Sequence, residues 1–269
     1  MKKFLNVFCV ILIVILLVSL ILSCSSNNLD IPNIVPDAPS EGNTESNESE
    51  PTQEPEVNSN PFANVTMACL GDSITMGSEI ETPYSELVKN NLGLKAAYNY
   101  GVGWSTIGLL EDCTCHADVE YEYDHHPYVY RYSEMKAADI VVVMGGNNDW
   151  GIGIPVGDIN DTDETTFCGA LNLLIAGLKE KHPDSYIFFM TLFNYVPDRI
   201  NKNGVSWIEY NNAIREVCAK EGIDVFDVYQ EIPFDKDTDT VDGVHPTQEF
   251  VTHVWSPAIA EFIRENYKK

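Results

Sequence analysis

Five short apolar runs decide most of what this chain can become: VTMACL (65–70), AAYNYGV (96–102), DIVVVMGG (139–146), YIFFMTLF (186–193) and IDVFDVY (223–229). Each has the length of a strand and is rich in β-branched or aromatic residues. None alternates strictly between apolar and polar. A strand with one wet face must alternate, because successive side chains point to opposite sides. A run that stays apolar on both sides predicts a strand covered above and below, as in a parallel sheet. The intervening segments can supply that cover. Phe167, Leu171, Leu174 and Leu178 make one helical stripe that stops before Pro183. Ser206 and Glu209 read as a capping box opening a helix over 206–221, with Tyr210, Ile214, Val217 and Cys218 facing inward. A last helix is expected over about 247–266, kinked or interrupted at Pro257. Strands alternating with helices predict a doubly wound α/β sandwich.

That pattern occupies residues 61–269 only. Residues 1–24 hold two lysines and then a nearly unbroken apolar run, which reads as a secretory signal or a membrane anchor. Its end, ILSC, resembles the lipobox of bacterial lipoprotein precursors. That resemblance implies a cleaved signal, with Cys24 lipidated as the new N-terminus. The other reading is an uncleaved N-terminal helix; both place the domain on the outer face of a membrane. Residues 25–60 carry eight acids and no Lys or Arg. With so little apolar surface to bury, they are expected to form a flexible, self-repelling tether. The domain itself has 33 acids against 14 bases. Nucleic acid is therefore not an expected partner, since phosphate binding needs a basic face. No repeat of 20–50 residues is present. Cys69 and Cys218 read as buried core thiols, and one disulfide among Cys113, Cys115 and Cys168 is open.

In doubly wound sheets, sites lie beyond the carboxyl ends of the strands. The segments there are GDSIT (71–75), NYGVGWST (99–106), GGNNDW (145–150) and DGVHPT (242–247). Ser73 at a strand-to-helix turn is either a helix cap or a nucleophile. His245 is the base that would activate it. Asp242, three residues earlier, can orient one imidazole nitrogen while the other faces the serine. The chain order Ser…Asp…His is that of α/β-hydrolases, but their G-x-S-x-G elbow is missing.

Taken together, the four segments resemble the blocks of the SGNH hydrolases, the GDSL esterase/lipase family, in order and over most of 65–250. The resemblance implies a flavodoxin-like three-layer α/β/α sandwich with a mostly parallel five-stranded sheet, and ester hydrolysis without metal or cofactor. It makes Ser73 the nucleophile, His245 the base and Asp242 its orienting acid. The oxyanion hole would be the N–H of Ser73, a backbone N–H of the second block and the side-chain amide of Asn148. One position departs from the family, which usually has glycine where this chain has Trp104. The indole either narrows the site or shifts the working N–H to Gly103.

Other residues have plainer readings. Asp72 and Asp149 are expected to bind nearby backbone, Asn148 can also serve an Asx turn, and GIGIPVG (151–157) punctuates a loop. The stretch 111–132 holds two Cys, three His and five Tyr, in a spacing that fits no common zinc framework. It is read as an elaborated loop at the rim of the site. Its tyrosines, Tyr121, Tyr123 and Tyr128 among them, either join Trp104 and Trp150 in a sugar-stacking surface or pack the loop to the core. The expected activity is serine esterase action on small acyl esters, acetyl above all, of a surface polysaccharide. The alternatives are an O-acetyltransferase using the same acyl-enzyme, a non-catalytic surface carbohydrate-binding module, and a long-chain lipase, for which no extended apolar lid stands out.

Overall fold

A computed structural model describes residues 60–109, 127–195 and 199–268. The expected signal segment 1–24 with Cys24, the expected tether up to residue 59, and Cys113, Cys115, Tyr121 and Tyr123 of the expected rim loop lie outside the described residues. Asn60 already belongs to the fold, its side-chain amide donating to the carbonyl of Leu92 at 2.7 Å.

The five apolar runs form one sheet: β1 (Thr66–Gly71), β2 (Ala96–Gly101), β3 (Ile140–Met144), β4 (Tyr186–Met190) and β5 (Asp224–Phe226). Every pairing is parallel, in the order β2-β1-β3-β4-β5. β1 is central to the register, with Cys69 opposite Asn99 on one side and Val142 on the other. The absence of alternation now has its cause. Ala68, Leu70, Val141, Val143, Ile187 and Phe189 face one apolar layer. Met67, Cys69, Ile140, Val142, Phe188 and Met190 face the other. Both sets are buried, so neither face needs a polar residue.

Four helices dominate the two covers. α1 (Ser73–Met76) is a single turn leaving β1, and α2 (Tyr84–Leu92) lays Tyr84, Val88 and Leu92 on the second layer. α3 (Tyr128–Arg131) and α4 (Asn147–Ile152) are short. α5 (Phe167–Lys181) and α6 (Trp207–Glu221) cover the first layer, and α7 (Ser256–Asn266) joins α2 on the second. α5 ends at His182, before Pro183, and α6 opens with the expected box: Glu209 accepts from the N–H of Ser206 at 3.2 Å and from its hydroxyl at 3.0 Å.

The differences from expectation are local. The fifth run yields a three-residue edge strand, because the chain leaves the sheet at Asp227. The Asp227 carboxylate takes the Arg215 guanidinium at 2.7 and 2.8 Å and the Thr191 hydroxyl at 3.0 Å, and Val228–Glu231 then turns helical. Pro257 does interrupt the last helix, as a widened turn over Val251–Trp255 that absorbs its missing N–H. Cys168 is a buried free thiol, so the disulfide left open for it does not form. Cys69 and Cys218 are buried and free, and burial pushes both thiols up to about 12, which leaves them unreactive at neutral pH.

Candidate active site

The turn after β1 settles the ambiguity of Ser73. Asp72, not Ser73, caps α1, its Oδ1 accepting from the N–H of Ile74 at 2.9 Å. The serine hydroxyl is thereby left for another partner, and its N–H sits in a first helical turn, where no intrahelical acceptor exists. The turn is tight enough that a Cβ at Gly71 would collide with the Thr75 side chain, and one at Gly101 with the backbone of Met76. The ends of β1 and β2 can approach α1 only as glycines.

His245 arrives from the far end of the chain. Val241 N–H donates to the His245 carbonyl at 2.8 Å, closing the loop into a turn. Asp242 Oδ1 accepts the N–H groups of His245 at 2.8 Å and Val244 at 3.0 Å. Its Oδ2 is then aimed at His245 Nδ1, 2.7 Å away, and Nε2 lies 2.9 Å from Ser73 Oγ. Burial opposes ionisation of Asp242, but the bonds from His245 and Val244 outweigh it and hold the carboxyl below the usual carboxylate range. With Asp242 ionised, Nδ1 carries the imidazole proton and Nε2 is the acceptor for the serine hydroxyl.

The second and third segments meet at the same place. Asp149 is fully buried and accepts from Ile107 N–H at 3.0 Å and Gly108 N–H at 2.9 Å, which clamps the loop after β2 to α4. Asn148 Nδ2 donates one hydrogen to Ser105 O at 3.0 Å, leaving its second amide hydrogen for the cavity it lines. Of the two readings of this position, the backbone favours Trp104 over Gly103. Trp104 itself takes the left-handed conformation, φ 64°, while Gly103 has no positive φ and room for a Cβ. A conformation that glycine adopts most readily is held here by a tryptophan that is 49% exposed.

Ser73, His245, Asp242, Asn148 and Trp104 all border one cavity of about 310 Å³. Gly103 does not line it. Asn147 does, and its amide nitrogen and oxygen are both buried with no protein partner. Sequence reasoning missed the opposite wall, Tyr195, Arg199 and Trp207. These come from the segment after β4, a carboxyl-end loop like the other four. Trp150 and Trp207 meet edge-on at 5.1 Å, and Tyr195 and Trp207 at 5.4 Å. Trp150 Nε1 donates to Val205 O at 3.2 Å and Trp207 Nε1 to Phe193 O at 2.8 Å, so both indoles are held by their polar edges.

The described end of the long loop packs rather than lining the site. Tyr128 is fully buried and its hydroxyl donates to Met144 O at 2.9 Å, so it belongs to the core and not to a sugar-stacking surface. Arg131 follows it inward and donates to Tyr100 O at 2.8 Å, Gly71 O at 2.9 Å and Ser105 Oγ at 2.9 Å. It thus ties β1, β2 and the Trp104 loop together, another residue that sequence reasoning missed. Among the described residues no group of three His, Cys, Asp or Glu side chains is placed to hold a metal ion.

Chemically, the arrangement pairs a hydroxyl with an acceptor nitrogen, backs that nitrogen with a carboxylate, and puts the Asn148 amide in the same cavity. That is the equipment of acyl transfer through a serine.

Comparison with known proteins bears on the same segments. The profile of the GDSL-like Lipase/Acylhydrolase family matches residues 69–250. No curated protein matches the chain. Among solved structures, a protein from Lactobacillus plantarum is 25% identical, with a TM-score of 0.64 over 77% of this chain and 99% of its own. A possible lipase from Chitinophaga pinensis is 20% identical, TM-score 0.57, over 75% and 98%. A carbohydrate acetylesterase family member from Sinorhizobium meliloti is 16% identical, TM-score 0.53, over 75% and 98%. The family match spans all four segments that build the cavity wall around Ser73, and on that ground the chain belongs to the GDSL-like lipase/acylhydrolase family and is an ester hydrolase.

Proposed function

We propose that the protein is a serine esterase that removes short acyl groups, acetyl above all, from carbohydrate at the outer face of a bacterial membrane. Ser73 Oγ attacks the ester carbonyl as its proton passes to His245 Nε2. The tetrahedral oxyanion is met by the N–H of Ser73, the backbone N–H of Trp104 and the Asn148 amide. His245 then protonates the leaving alcohol, and a water repeats the sequence to release the acid and restore the serine hydroxyl. Each of these groups comes from the chain itself.

The observation that carries the short-acyl reading is the left-handed Trp104 at the edge of a cavity of about 310 Å³. That is near the small end of ligand pockets, which run from roughly 300 to 1,000 Å³. An indole beside the nucleophile takes volume that a long acyl chain would need. The half-exposed Trp104 ring is also a face on which a sugar can stack. The surface location rests on the apolar segment 1–24 ending at Cys24 and on the acidic stretch that follows it.

The test is a p-nitrophenyl ester series run on the full-length protein. Acetate should outrun butyrate and octanoate, chelators should leave turnover unchanged, and Ser73→Ala should abolish it while the fold survives. Octanoate turned over as fast as acetate would reject the short-acyl reading. An active Ser73→Ala would reject the serine mechanism.

A further inference from the structure

Arg199 differs from the cations of this acidic domain that are paired with acids. Lys89 pairs with Glu86, Lys179 with Glu221, Arg215 with Asp227, Lys236 with Asp237 and Arg264 with Glu261. Among the described residues Arg199 has no carboxylate within ion-pair distance, and its guanidinium makes no hydrogen bond. It nevertheless lines the cavity that contains Ser73 and His245.

Its position is built. The Arg199 carbonyl accepts from Trp207 N–H at 3.1 Å, and Ile200 pairs across the loop with Ser206. The Asn201 amide donates to Trp150 O at 3.2 Å, and Asn203 donates to Gly153 O at 2.7 Å. The segment that carries the arginine is thus stapled to the helix that carries Trp150. The guanidinium lies over the Trp150 ring, 4.9 Å from its centroid. A cation–π contact does not use up the guanidinium N–H donors, whose fork matches a carboxylate. The other charged group lining the cavity, Asp242, is already occupied by His245 and two N–H donors. An anion entering here meets one uncommitted cation and no uncommitted carboxylate among the described residues.

We propose that Arg199 is a specificity-determining residue that selects esters whose alcohol portion carries a carboxylate; on a glycan this would be an acidic sugar. The placement on the alcohol portion rests on the short-acyl reading, since a small acyl group has no room for the charge. The net negative charge of the domain repels anions at long range and so opposes this preference; the selection rests on the short-range contact with the Arg199 guanidinium.

The experiment compares 4-acetoxybenzoate with its methyl ester, which share acyl group and ring and differ in charge. In the full-length protein, Arg199→Gln should lower kcat/KM for the anionic ester by about 10- to 100-fold, the worth of a charge-assisted hydrogen bond. The loss should fall on KM, and kcat/KM for the neutral ester should fall much less, so that the anionic-to-neutral ratio drops. Arg199→Lys should retain part of the preference, having the charge without the fork, and Arg199→Glu should reverse it. An anionic-to-neutral ratio that stays the same in Arg199→Gln and in Arg199→Glu would overturn the proposal. The acyl part is scored separately with 4-octanoyloxybenzoate and its methyl ester. If these are the better substrates, the short-acyl reading falls, while the charge ratio, read on whichever acyl chain turns over fastest, still decides the role of Arg199.

Discussion

Trp104 holds a backbone conformation that costs a non-glycine residue roughly 1–3 kcal/mol. A strained residue beside the nucleophile is retained against that cost, which fits a role in shaping the cavity. Trp104→Gly is expected to raise stability by about 1 kcal/mol, by relieving the left-handed strain less the entropy glycine adds to the unfolded chain. The same change should open the acyl site and bring butyrate turnover up toward acetate. Urea unfolding and the ester series check the two halves, and a variant that is less stable and equally selective would contradict both. Asp72 carries a second residue-scale expectation. Burial pushes its carboxyl up to about 6, against the pull of the Ile74 N–H and the charges of His245 and Arg131, and its Oδ2 is buried without a partner. A carboxyl raised in the folded state binds its proton more tightly there than in the unfolded chain, where it titrates near 4. Its contribution to stability is therefore present below about pH 4 and lost as pH rises through about 6. Asp72→Asn keeps an acceptor for Ile74 and removes the titration. Denaturation between pH 4 and 7 should show a shallower fall with pH than in the wild type. Part of the slope should remain, because burial also pushes Asp149 up to about 7, despite its bonds from Gly108 and Ile107.

At the scale of elements, the site depends on how the loop after β2 is tied to α4. Asp149 is the tie, and its partners are backbone N–H groups of Ile107 and Gly108 rather than side chains. Asp149→Ala would leave two buried donors unsatisfied, at roughly 1–3 kcal/mol each. A loss of about 2–5 kcal/mol in urea unfolding is expected. Turnover should fall as well, because the loop that places Trp104 and Ser105 loses its anchor. Full activity with lowered stability would show that the loop keeps its place without the carboxylate. Element boundaries were legible where local chemistry sets them, as with the capping box at Ser206 and the stop before Pro183. They were not legible at β5, where an apolar run of seven residues holds a three-residue strand. Arg215 lies on α6, and its grip on Asp227 is a tertiary contact that pattern reading does not see.

For the whole molecule, the described domain accounts for the sheet, both apolar layers and every group placed at the site. Deleting residues 25–59 should therefore leave kcat and KM on p-nitrophenyl acetate within about twofold of wild type, since a stretch with eight acids and little apolar sequence is not expected to build a packed site. Asn60 is kept in that deletion because its amide is bonded to the end of α2. A large loss of activity would mean that the acidic stretch contributes to the site.

The sequence by itself determined the architecture and pointed to the serine, carboxylate and histidine that meet in the cavity. Unbroken apolar runs require cover on both faces, and the serine, carboxylate and histidine stand in short segments whose spacing is set by tight turns. The pair Asp242–His245 was legible because three residues of one loop decide it, whatever the rest of the chain does. The fold alone decided the remainder. It put Trp104 in the left-handed conformation, in a loop bounded by Tyr100, whose carbonyl accepts from Arg131, and by Ile107 and Gly108, whose N–H groups donate to Asp149. It sent Tyr128 into the core and brought Tyr195, Arg199 and Trp207 to the cavity from the loop after β4. No local pattern marks such residues. Their roles come from parallel strands ending at one edge of a sheet, which brings together segments as far apart in the chain as 73 and 245.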